Sequence, residues 1–392
     1  MSDVQLLFAV LAGLYLWECA CWLRRGSVAV ATWLGRRWQL LHPGTLLGNQ
    51  RGGFVLAAPF PPLGTLLTVN QFPLSLSPAG VLFLVATSLN PGGRPAQSGR
   101  LLKFDNLHEV QAKRRQLIVN GEVALTVFSP GFARYLVGIL QRLWKTQPAE
   151  RERVISEIFH AALETKAVEK RWQEVQPLIK PVRRLANALF VFVFVVAPVL
   201  IWQLGFGLIW AGLLPGLLAL TTATAIYFRR AHRVLFPEAE EERFSFTLTV
   251  LLAPTTALRA HDLLLRPCCE TFHPLAVVKL FLSHDEFLEF ARRVWRDLAN
   301  PARPVCPPGP PEVEATEAQG RAAMRVAVEQ FLRESGCEAE KLNRPPQPLD
   351  EACRAYCPRC EAQFTQLEAA CADCGGMPLM PLANPDRDEG TA

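Results

Sequence analysis

An uncharged apolar run from Leu185 to Phe228 constrains this chain more than any other feature, because none of its 44 residues carries a charge. As a single helix the run would be about 66 Å long, roughly twice the hydrocarbon thickness of a bilayer. The sequence therefore predicts a hairpin of two membrane-crossing helices, near residues 187–204 and 208–228, with the turn around Gly205.

A shorter apolar run at the N-terminus predicts a third span. Leu6–Leu23 has 18 residues, is interrupted only by Glu18, and reaches about 27 Å as a helix, which just crosses the hydrocarbon region. Asp3 is the only charged side chain before it, and no small-residue cleavage site follows, so the run lacks the marks of a secretory signal. We expect residues 1–27 to be an uncleaved transmembrane anchor.

Basic residues near the ends of the three spans predict the orientation. They follow the first span and flank the hairpin, whereas the hairpin tip and the first five residues carry none. Lys and Arg next to a span favour the cytoplasmic side. We therefore expect a multi-pass protein of the plasma (inner) membrane, with the N-terminus and the hairpin tip outside and the large regions and the C-terminus cytoplasmic. The flanking residues are Arg24, Arg25, Arg36, Arg37, Lys180, Arg183, Arg184, Arg229, Arg230 and Arg233.

The overall composition argues against two further classes of protein. Hydrophobic residues make up 50% of the chain and charged residues 20%, so intrinsic disorder is excluded as its main state. The net charge of +5 is too small and too dispersed to argue for binding to nucleic acid.

Residues 28–146 are expected to form a β-rich α+β cytoplasmic module. Proline and glycine punctuate its first half, which favours short strands over helices. Asn120-Gly121 lies between two strand-like segments and predicts a tight β-hairpin. Ser129-Pro130 then predicts the start of an amphipathic helix. The predicted strands are Phe54–Ala58, Thr65–Val69, Gly80–Ala86, Gln116–Val119 and Glu122–Phe128.

This order of elements, strands and a hairpin followed by one closing helix, resembles pleckstrin-homology-like domains. The stretch Phe104–Val110, the hairpin and the helix carry the resemblance, which covers about residues 40–146 and rests on topology. It implies a module that binds or scaffolds and does not catalyse a reaction. An unrelated small α+β domain is the alternative.

The rest of the chain divides at changes in composition into further predicted segments. Breaks at Pro254, Pro267 and Pro274 are expected within its helical part. The segments are an amphipathic helix leading to the membrane (147–185), the transmembrane hairpin (186–228), a cytoplasmic helical region (229–300), a Pro-rich linker with one helix (301–350), a zinc ribbon (351–380) and a disordered tail (381–392).

Two Cys-x-x-Cys pairs near the C-terminus give the sharpest chemical signal. Cys357 and Cys360 are followed, after ten intervening residues, by Cys371 and Cys374. Each pair can turn two thiolates toward one point, and four thiolates form a closed tetrahedral site for one structural Zn²⁺ ion. Such a site has no open coordination position, so the metal would stabilise the fold and not activate water.

The segment from Tyr356 to Gly375, with Phe364 between the two pairs, resembles the zinc-ribbon family. The resemblance implies one zinc ion in a unit of about 30 residues. Glu361 stands where the family usually has a glycine after the first pair, which leaves the form of that turn open. A redox dithiol or disulfides are the alternatives, although thiols stay reduced in the cytoplasm.

A second group of chemically versatile side chains lies in the helical region and defines an alternative function, a membrane enzyme. Its spacing matches neither a zinc signature nor a hydrolase motif. Its members are His261, Asp262, Cys268, Cys269, His273, His284 and Asp285, with Glu270 as a further candidate.

A small transporter subunit is the other alternative. It depends on Glu18 in the first span and on Pro198, Gln203 and Pro215 in the hairpin. An ionisable group inside a span often marks an ion path, but Glu18 lies close to the interface, where water can reach it.

The features together favour a membrane-anchored interaction or scaffold protein at the cytoplasmic face of the membrane, with no predicted catalytic or cofactor-binding residue. Its expected partners are the lipid bilayer and a protein. Nucleic acid is disfavoured because acidic residues outnumber Arg354 and Arg359 on the ribbon. The sequence identifies no small-molecule ligand.

Overall fold

The computed structural model describes residues 3–21, 27–33, 37–41, 66–70, 74–86, 97–127, 129–205, 207, 209–299, 310–343, 345–358, 361–372 and 377–382. Within these stretches the chain is mostly helical, with small antiparallel sheets. The predicted strand Phe54–Ala58, the prolines of 301–309 and residues 383–392 of the predicted tail lie outside the described residues.

The helices follow the periodicity and the proline breaks of the sequence. The described α-helices are α1 Asp3–Cys21, α2 Pro130–Lys145, α3 Arg151–Ala162, α4 Thr165–Leu204, α5 Trp210–Leu235, α6 Glu240–Leu252, α7 Pro254–Leu258, α8 Ala260–Leu265, α9 Pro274–Phe281, α10 His284–Ala299, α11 Pro311–Glu334 and α12 Ala339–Leu342. Short 3₁₀ turns cover Phe104–Asn106, Pro148–Glu150 and Arg266–Cys269.

The strands are short and pair in antiparallel sheets of two or three. They are β1 Ser27–Trp33, β2 Arg37–Leu41, β3 Leu66–Asn70, β4 Leu74–Leu76, β5 Gly80–Ala86, β6 Gln97–Lys103, β7 Val110–Lys113, β8 Gln116–Val119, β9 Glu122–Thr126, β10 Ala355–Tyr356, β11 Gln363–Phe364, β12 Ala370–Cys371, β13 Met377–Pro378 and β14 Met380–Pro381. The sheet orders are β2-β1-β3, β4-β5-β6, β7-β8-β9, β11-β10-β14 and β12-β13.

Local sequence signals in the β-rich module are confirmed. β8 and β9 flank Asn120-Gly121, whose φ angles of +50° and +82° are those of the predicted tight turn. Ser129 caps α2, and its Oγ accepts the Phe132 N–H at 3.1 Å. Two three-stranded meanders and a closing helix agree with the expected order of elements, although this order alone does not establish the pleckstrin-homology-like resemblance.

The amphipathic helix predicted within 147–185 is different in the structure. α3 ends at Ala162, Leu163 and Glu164 form a break, and α4 then runs without interruption for 40 residues to Leu204. Glu164 caps the new helix by accepting the Lys166 N–H at 3.3 Å, which explains the restart. The amphipathic helix and the first half of the hairpin are therefore one element.

The hairpin itself forms where the sequence predicts it. α4 ends at Gly205, whose φ of +74° suits glycine, and α5 begins at Trp210. A π-helical turn at Phe192–Val196 precedes Pro198 and accommodates its missing N–H. Two helices, Thr165–Leu204 and Ala211–Leu235, are long and apolar enough to cross a membrane.

Helix α1 packs against the hairpin through aromatic rings. Tyr15 lies 6.0 Å from Phe190 and 5.6 Å from Phe194 between ring centroids, and Phe8 lies 6.0 Å from Phe194. Tyr15 is buried by these contacts. Helix α1 thus lies alongside α4, which in turn packs against α5.

One continuous core joins the β-rich module to the helices on both sides of the hairpin. The sheet β2-β1-β3 lies against α8, α9 and the turn Arg266–Cys269. Helix α11, predicted within a linker, packs against α3, α10 and the sheet β4-β5-β6. At its closest point to β4 this helix carries Gly320, where an added Cβ would lie 2.8 Å from the Leu76 carbonyl oxygen.

The close approach at Gly320 gives a test with a matched control. We expect Gly320→Ala to push α11 from β4 and to lower the free energy of unfolding by about 1–3 kcal/mol. Gly138, on the exposed face of α2, has open space around its Cα. Gly138→Ala should therefore raise the free energy of unfolding by about 0.5–1 kcal/mol. Thermal unfolding of both variants in the same detergent measures the difference. Equal effects of the two substitutions would contradict the close packing.

Candidate functional site

The two cysteine pairs predicted to bind zinc lie in a small β unit. β10 pairs with β11 and β14, and the β12–β13 hairpin carries Cys371. Cys357 and Cys371 are both fully buried and belong to one cluster, against which Phe364 and Leu379 pack. The fold thus brings together one cysteine from each pair.

The turn of the first pair forms with glutamate in the position that the zinc-ribbon family gives to glycine. Glu361 has a φ of +59°, in the left-handed region that favours glycine. Its N–H donates to the Cys357 carbonyl oxygen at 2.9 Å, and the Cys357 N–H donates to the Ala362 carbonyl oxygen at 2.9 Å. The backbone therefore turns tightly around Cys357 without a glycine.

The other two predicted ligands, Cys360 and Cys374, lie outside the described residues. Within the described part of the chain, no group of three or more His, Cys, Asp or Glu side chains is placed to hold a metal ion. Cys353 is set apart from the first turn, because its N–H donates to the Asp350 side chain at 3.0 Å. The four-cysteine zinc site remains a prediction.

The small β unit that carries Cys357, the predicted ribbon, contacts the helical region through the buried Arg296. Arg296 of α10 pairs with Glu361 at 2.7 Å between Nη1 and Oε1, and its guanidinium lies 5.1 Å from the ring centroid of Tyr356. Arg296 is almost fully buried. Burial lowers the pKa of Arg296, while Tyr356 and Glu361 act in the opposite direction. Sequence analysis did not predict this contact. The only clue in the sequence was Glu361, which stands where the zinc-ribbon family usually has a glycine.

The docking contact can be tested at Glu361. Replacing Glu361 by Ala keeps a side chain in the left-handed turn but leaves the buried Arg296 without this carboxylate, which should cost about 1–3 kcal/mol of local stability. We expect faster hydrogen exchange of the amides in 355–364. Glu368→Ala, on an exposed ribbon position, is the control and should leave exchange unchanged. Equal exchange in both variants would show that Arg296 does not hold the ribbon.

The His, Cys and Asp group between His261 and Asp285 is not gathered into one site. His261 and Asp262 are fully buried with Arg259, whose Nε lies 3.0 Å from Asp262 Oδ2. His284 and Asp285, in contrast, are exposed at the start of α10. The group therefore occupies several separate environments.

The cysteines and the remaining histidine of this group have structural roles. The Cys268 thiol donates to the Leu264 carbonyl oxygen at 3.0 Å. Burial raises the pKa of both thiols, that of Cys269 to about 12, so they are protonated and poor nucleophiles at neutral pH. Burial lowers the pKa of His273 to about 4, and its Nδ1 accepts the Leu275 N–H at 3.2 Å to cap α9.

The residues on which a transport path would depend are also separated. Gln203 is exposed at the end of α4, while Pro198 and Pro215 are built into the two helices of the hairpin. Glu18 lies in α1, and its side chain is outside the described part of the structure.

A buried carboxyl group joins the β-rich module to the helical region. Glu270 is almost fully buried, and its Oε2 accepts a short hydrogen bond from Ser129, the residue that caps α2. Burial raises the pKa of Glu270 to about 7, against the opposing effect of Ser129 and of the cations Arg266 and Arg115. The carboxyl is therefore close to half protonated at neutral pH.

Three ion pairs connect the same two regions nearer the hairpin. Glu238, Glu241 and Glu242 pair with arginines of the β-rich module at 2.7–3.0 Å. The acidic run after the hairpin is thus a docking surface for the module. The pairs are Arg134–Glu238, Arg114–Glu241 and Arg115–Glu242.

Comparison with known proteins gives no match, either to a family model, to a curated protein or to a solved structure. Neither the zinc-ribbon nor the pleckstrin-homology-like resemblance is established by relatives. The function must therefore be argued from the residues and their geometry.

The raised pKa of Glu270 predicts a pH dependence of stability. The carboxyl titrates near 4.5 when unfolded and near 7 when folded. Between these values the folded state binds more protons, so the free energy of unfolding falls as pH rises through this range. Glu270→Gln lacks this titration, and its stability relative to the wild type should rise by up to about 3 kcal/mol between about pH 5 and pH 8.

Denaturant unfolding of the two proteins across this pH range measures the effect. Glu109→Gln, at an exposed position of the β-rich module, is the control and should not reproduce it. A constant difference between Glu270→Gln and the wild type would rule out the raised pKa.

Proposed function

We propose that this chain is a membrane-anchored interaction protein whose body lies at the cytoplasmic face of the plasma membrane. In this proposal α1, α4 and α5 span the bilayer, and a zinc ribbon and the β-rich module present surfaces to a protein partner. The structural elements on either side of the hairpin form one body, so the anchor holds that body at the membrane as a unit.

The observation that carries the proposal is the outward-facing apolar surface of the hairpin. Only 17% of the most apolar 18-residue stretch of α4 and 28% of that of α5 is buried, whereas the core helix of a soluble protein is mostly buried. Such a continuous apolar surface is favourable in hydrocarbon and unfavourable in water. Its members include Val191, Val195, Val199, Trp202, Leu204, Leu214 and Leu218.

Helix α1 extends this surface and supports a third span. Its 19 residues contact the hairpin through Phe8 and Tyr15, while several of its apolar side chains remain exposed. The exposed residues are Leu6, Phe8, Val10 and Leu14. Basic residues after α1 and on both sides of the hairpin favour a cytoplasmic location for the body.

The zinc ion is proposed to be held by Cys357, Cys360, Cys371 and Cys374. The shared buried cluster of Cys357 and Cys371 supports this assignment, as does the tight turn at Glu361. The chemistry of the donor set also fits, because four thiolates favour tetrahedral Zn²⁺. The metal would stabilise a unit whose own apolar core is too small to fold alone.

A protein is the favoured partner of the ribbon. The exposed side chains Leu349, Leu367 and Met380 give the ribbon and its adjoining segment apolar contact surface. Leu349 is held beside the ribbon, because its N–H donates to the Gln363 side chain at 2.8 Å. Acidic residues predominate among the charges, which disfavours a phosphate backbone.

Purification from native membranes tests the proposal. We expect the intact protein to retain about one zinc ion per chain, as four thiolates imply, together with a specific protein partner. Both should be lost in the double variant Cys357→Ser, Cys371→Ser. Cys353→Ser, next to the ribbon but outside the two pairs, is the matched control and should retain both. Zinc content and co-purifying proteins are measured on the same samples.

Different outcomes contradict different parts of the proposal. Zinc below a stoichiometric level in the wild type would refute the metal site. Loss of zinc with the partner retained would move the interaction from the ribbon to another part of the body. Recovery of the wild-type protein in the soluble fraction would refute the membrane anchor.

A further inference from the structure

Helix α6, directly after the hairpin, carries large apolar side chains that face solvent. Phe244, Leu248 and Leu252 are 66%, 43% and 70% exposed, and their spacing of four places them along one stripe. Val250 on the other face is fully buried. Residues 244–258 contain no charged side chain. A stripe of this kind marks a contact surface, and the question is what covers it.

The position of the stripe follows from the packing of α6 on α5. The two helices lie side by side and are joined by the short connection 236–239. The rings of His232 on α5 and Phe246 on α6 lie 6.2 Å apart between centroids. The two helices are antiparallel and each rises about 1.5 Å per residue. A residue a given number of positions before His232 is therefore level with the residue the same number of positions after Phe246. The same register pairs Phe228 with Val250, both fully buried.

This register makes the stripe continuous with the apolar surface of the hairpin. Leu252 is level with Ile226, which is 47% exposed, and Phe244 is level with Val234, which is 62% exposed. Leu252 therefore lies closer to the hairpin tip than Arg229, the first charged residue after the uncharged run. If Arg229 lies at the lipid headgroups, Leu252 lies among the acyl chains.

The polar groups of α6 are compatible with this environment. The hydroxyls of Thr247 and Thr249 donate to carbonyl oxygens one turn earlier in the helix, those of Arg243 and Ser245. The same arrangement occurs within α5, where Thr221 and Thr224 donate to Leu217 and Leu220. These bonds satisfy the hydroxyl protons without water, as a membrane interior requires.

The acidic start of α6 is held away from the bilayer. Glu241 and Glu242 pair with Arg114 and Arg115 of the β-rich module. α7 follows at the other end of α6 and contacts α1, α4 and α5. One end of α6 is therefore fixed to the cytoplasmic body and the other to the apolar helices.

We propose that α6 and α7 form a shallow re-entrant segment whose stripe is covered by the cytoplasmic leaflet. Acyl chains cover Leu252, while Leu248, level with Arg230, and Phe244, level with Val234, lie at the headgroups. Helix α6 has 13 residues, a length typical of an interfacial element and too short to span, and α7 is a separate short helix. This inference rests on the proposed membrane anchoring of the hairpin. It differs from the expectation that residues 229–300 are entirely cytoplasmic.

Photolabelling of the full chain in native membrane vesicles tests the inference. A lipid-soluble aryl diazirine concentrates in the acyl region, and mass spectrometry locates the modified residues. We expect Leu252 to be labelled to an extent comparable with Ile226 and at least about tenfold more than Val326, an exposed apolar residue of α11. Buried Val250 should remain unlabelled.

The outcomes separate the inference from the proposed function. Labelling of Ile226 without Leu252 would overturn the re-entrant segment and leave the membrane anchor standing. Absence of labelling at both positions would overturn both. Labelling of Leu252 only after dilution to a low protein-to-lipid ratio would show that a second copy of the chain covers it, and would also overturn the lipid assignment.

Discussion

Everything else in this structure depends on α4 remaining one helix while its surroundings change along its length. Its first half buries a stripe of apolar side chains against α8 and α9, and the rings of Trp172 and Phe281 meet at 4.9 Å. Its second half is apolar on all sides and exposed. A helix of 40 residues is about 60 Å long, so the proposed anchor and the body share one continuous element. The buried stripe is Val168, Val175, Ile179 and Val182.

Charged groups position the β-rich module against α6 and the connection that precedes it. Exposed ion pairs such as Arg114–Glu241 contribute little individually. Arg115 is better placed, because Glu242 is largely buried and the guanidinium also lies 5.4 Å from the ring centroid of Phe246. The acidic residues begin α6, where the helix dipole favours negative charge. These contacts determine where the module sits, while the shared apolar core supplies most of the stability.

Sequence analysis predicted the features that local chemistry determines. The turn at Asn120-Gly121, the cap at Ser129 and the helix breaks at Pro254 and Pro274 each depend on a few adjacent residues. β1, β2, β4, β6 and β7 were missed. β1 pairs with β3, Ser27 with Asn70, and a pairing so far apart in the chain leaves no local signal.

The missed contacts of the candidate sites have the same cause. Ser129 and Glu270 are 141 residues apart, and Arg296 and Glu361 are 65 apart, so neither pair has a periodic signature. Of the predicted zinc ligands, the structure describes Cys357 and Cys371 in one cluster. A residue type in an unusual position, Glu361 in place of glycine, was the one sequence clue to the docked ribbon.

The glutamate at this position couples the proposed metal site to the body of the protein. A non-glycine residue in the left-handed region costs about 1–3 kcal/mol, and the contact with buried Arg296 offsets that cost only when the ribbon is docked. Zinc would favour the same turn, because Cys357 precedes it directly. Zinc at the proposed site and docking would therefore stabilise the same conformation, and linkage would require that each strengthens the other by the same factor. A glycine in this position would form the turn in either state and would remove that coupling.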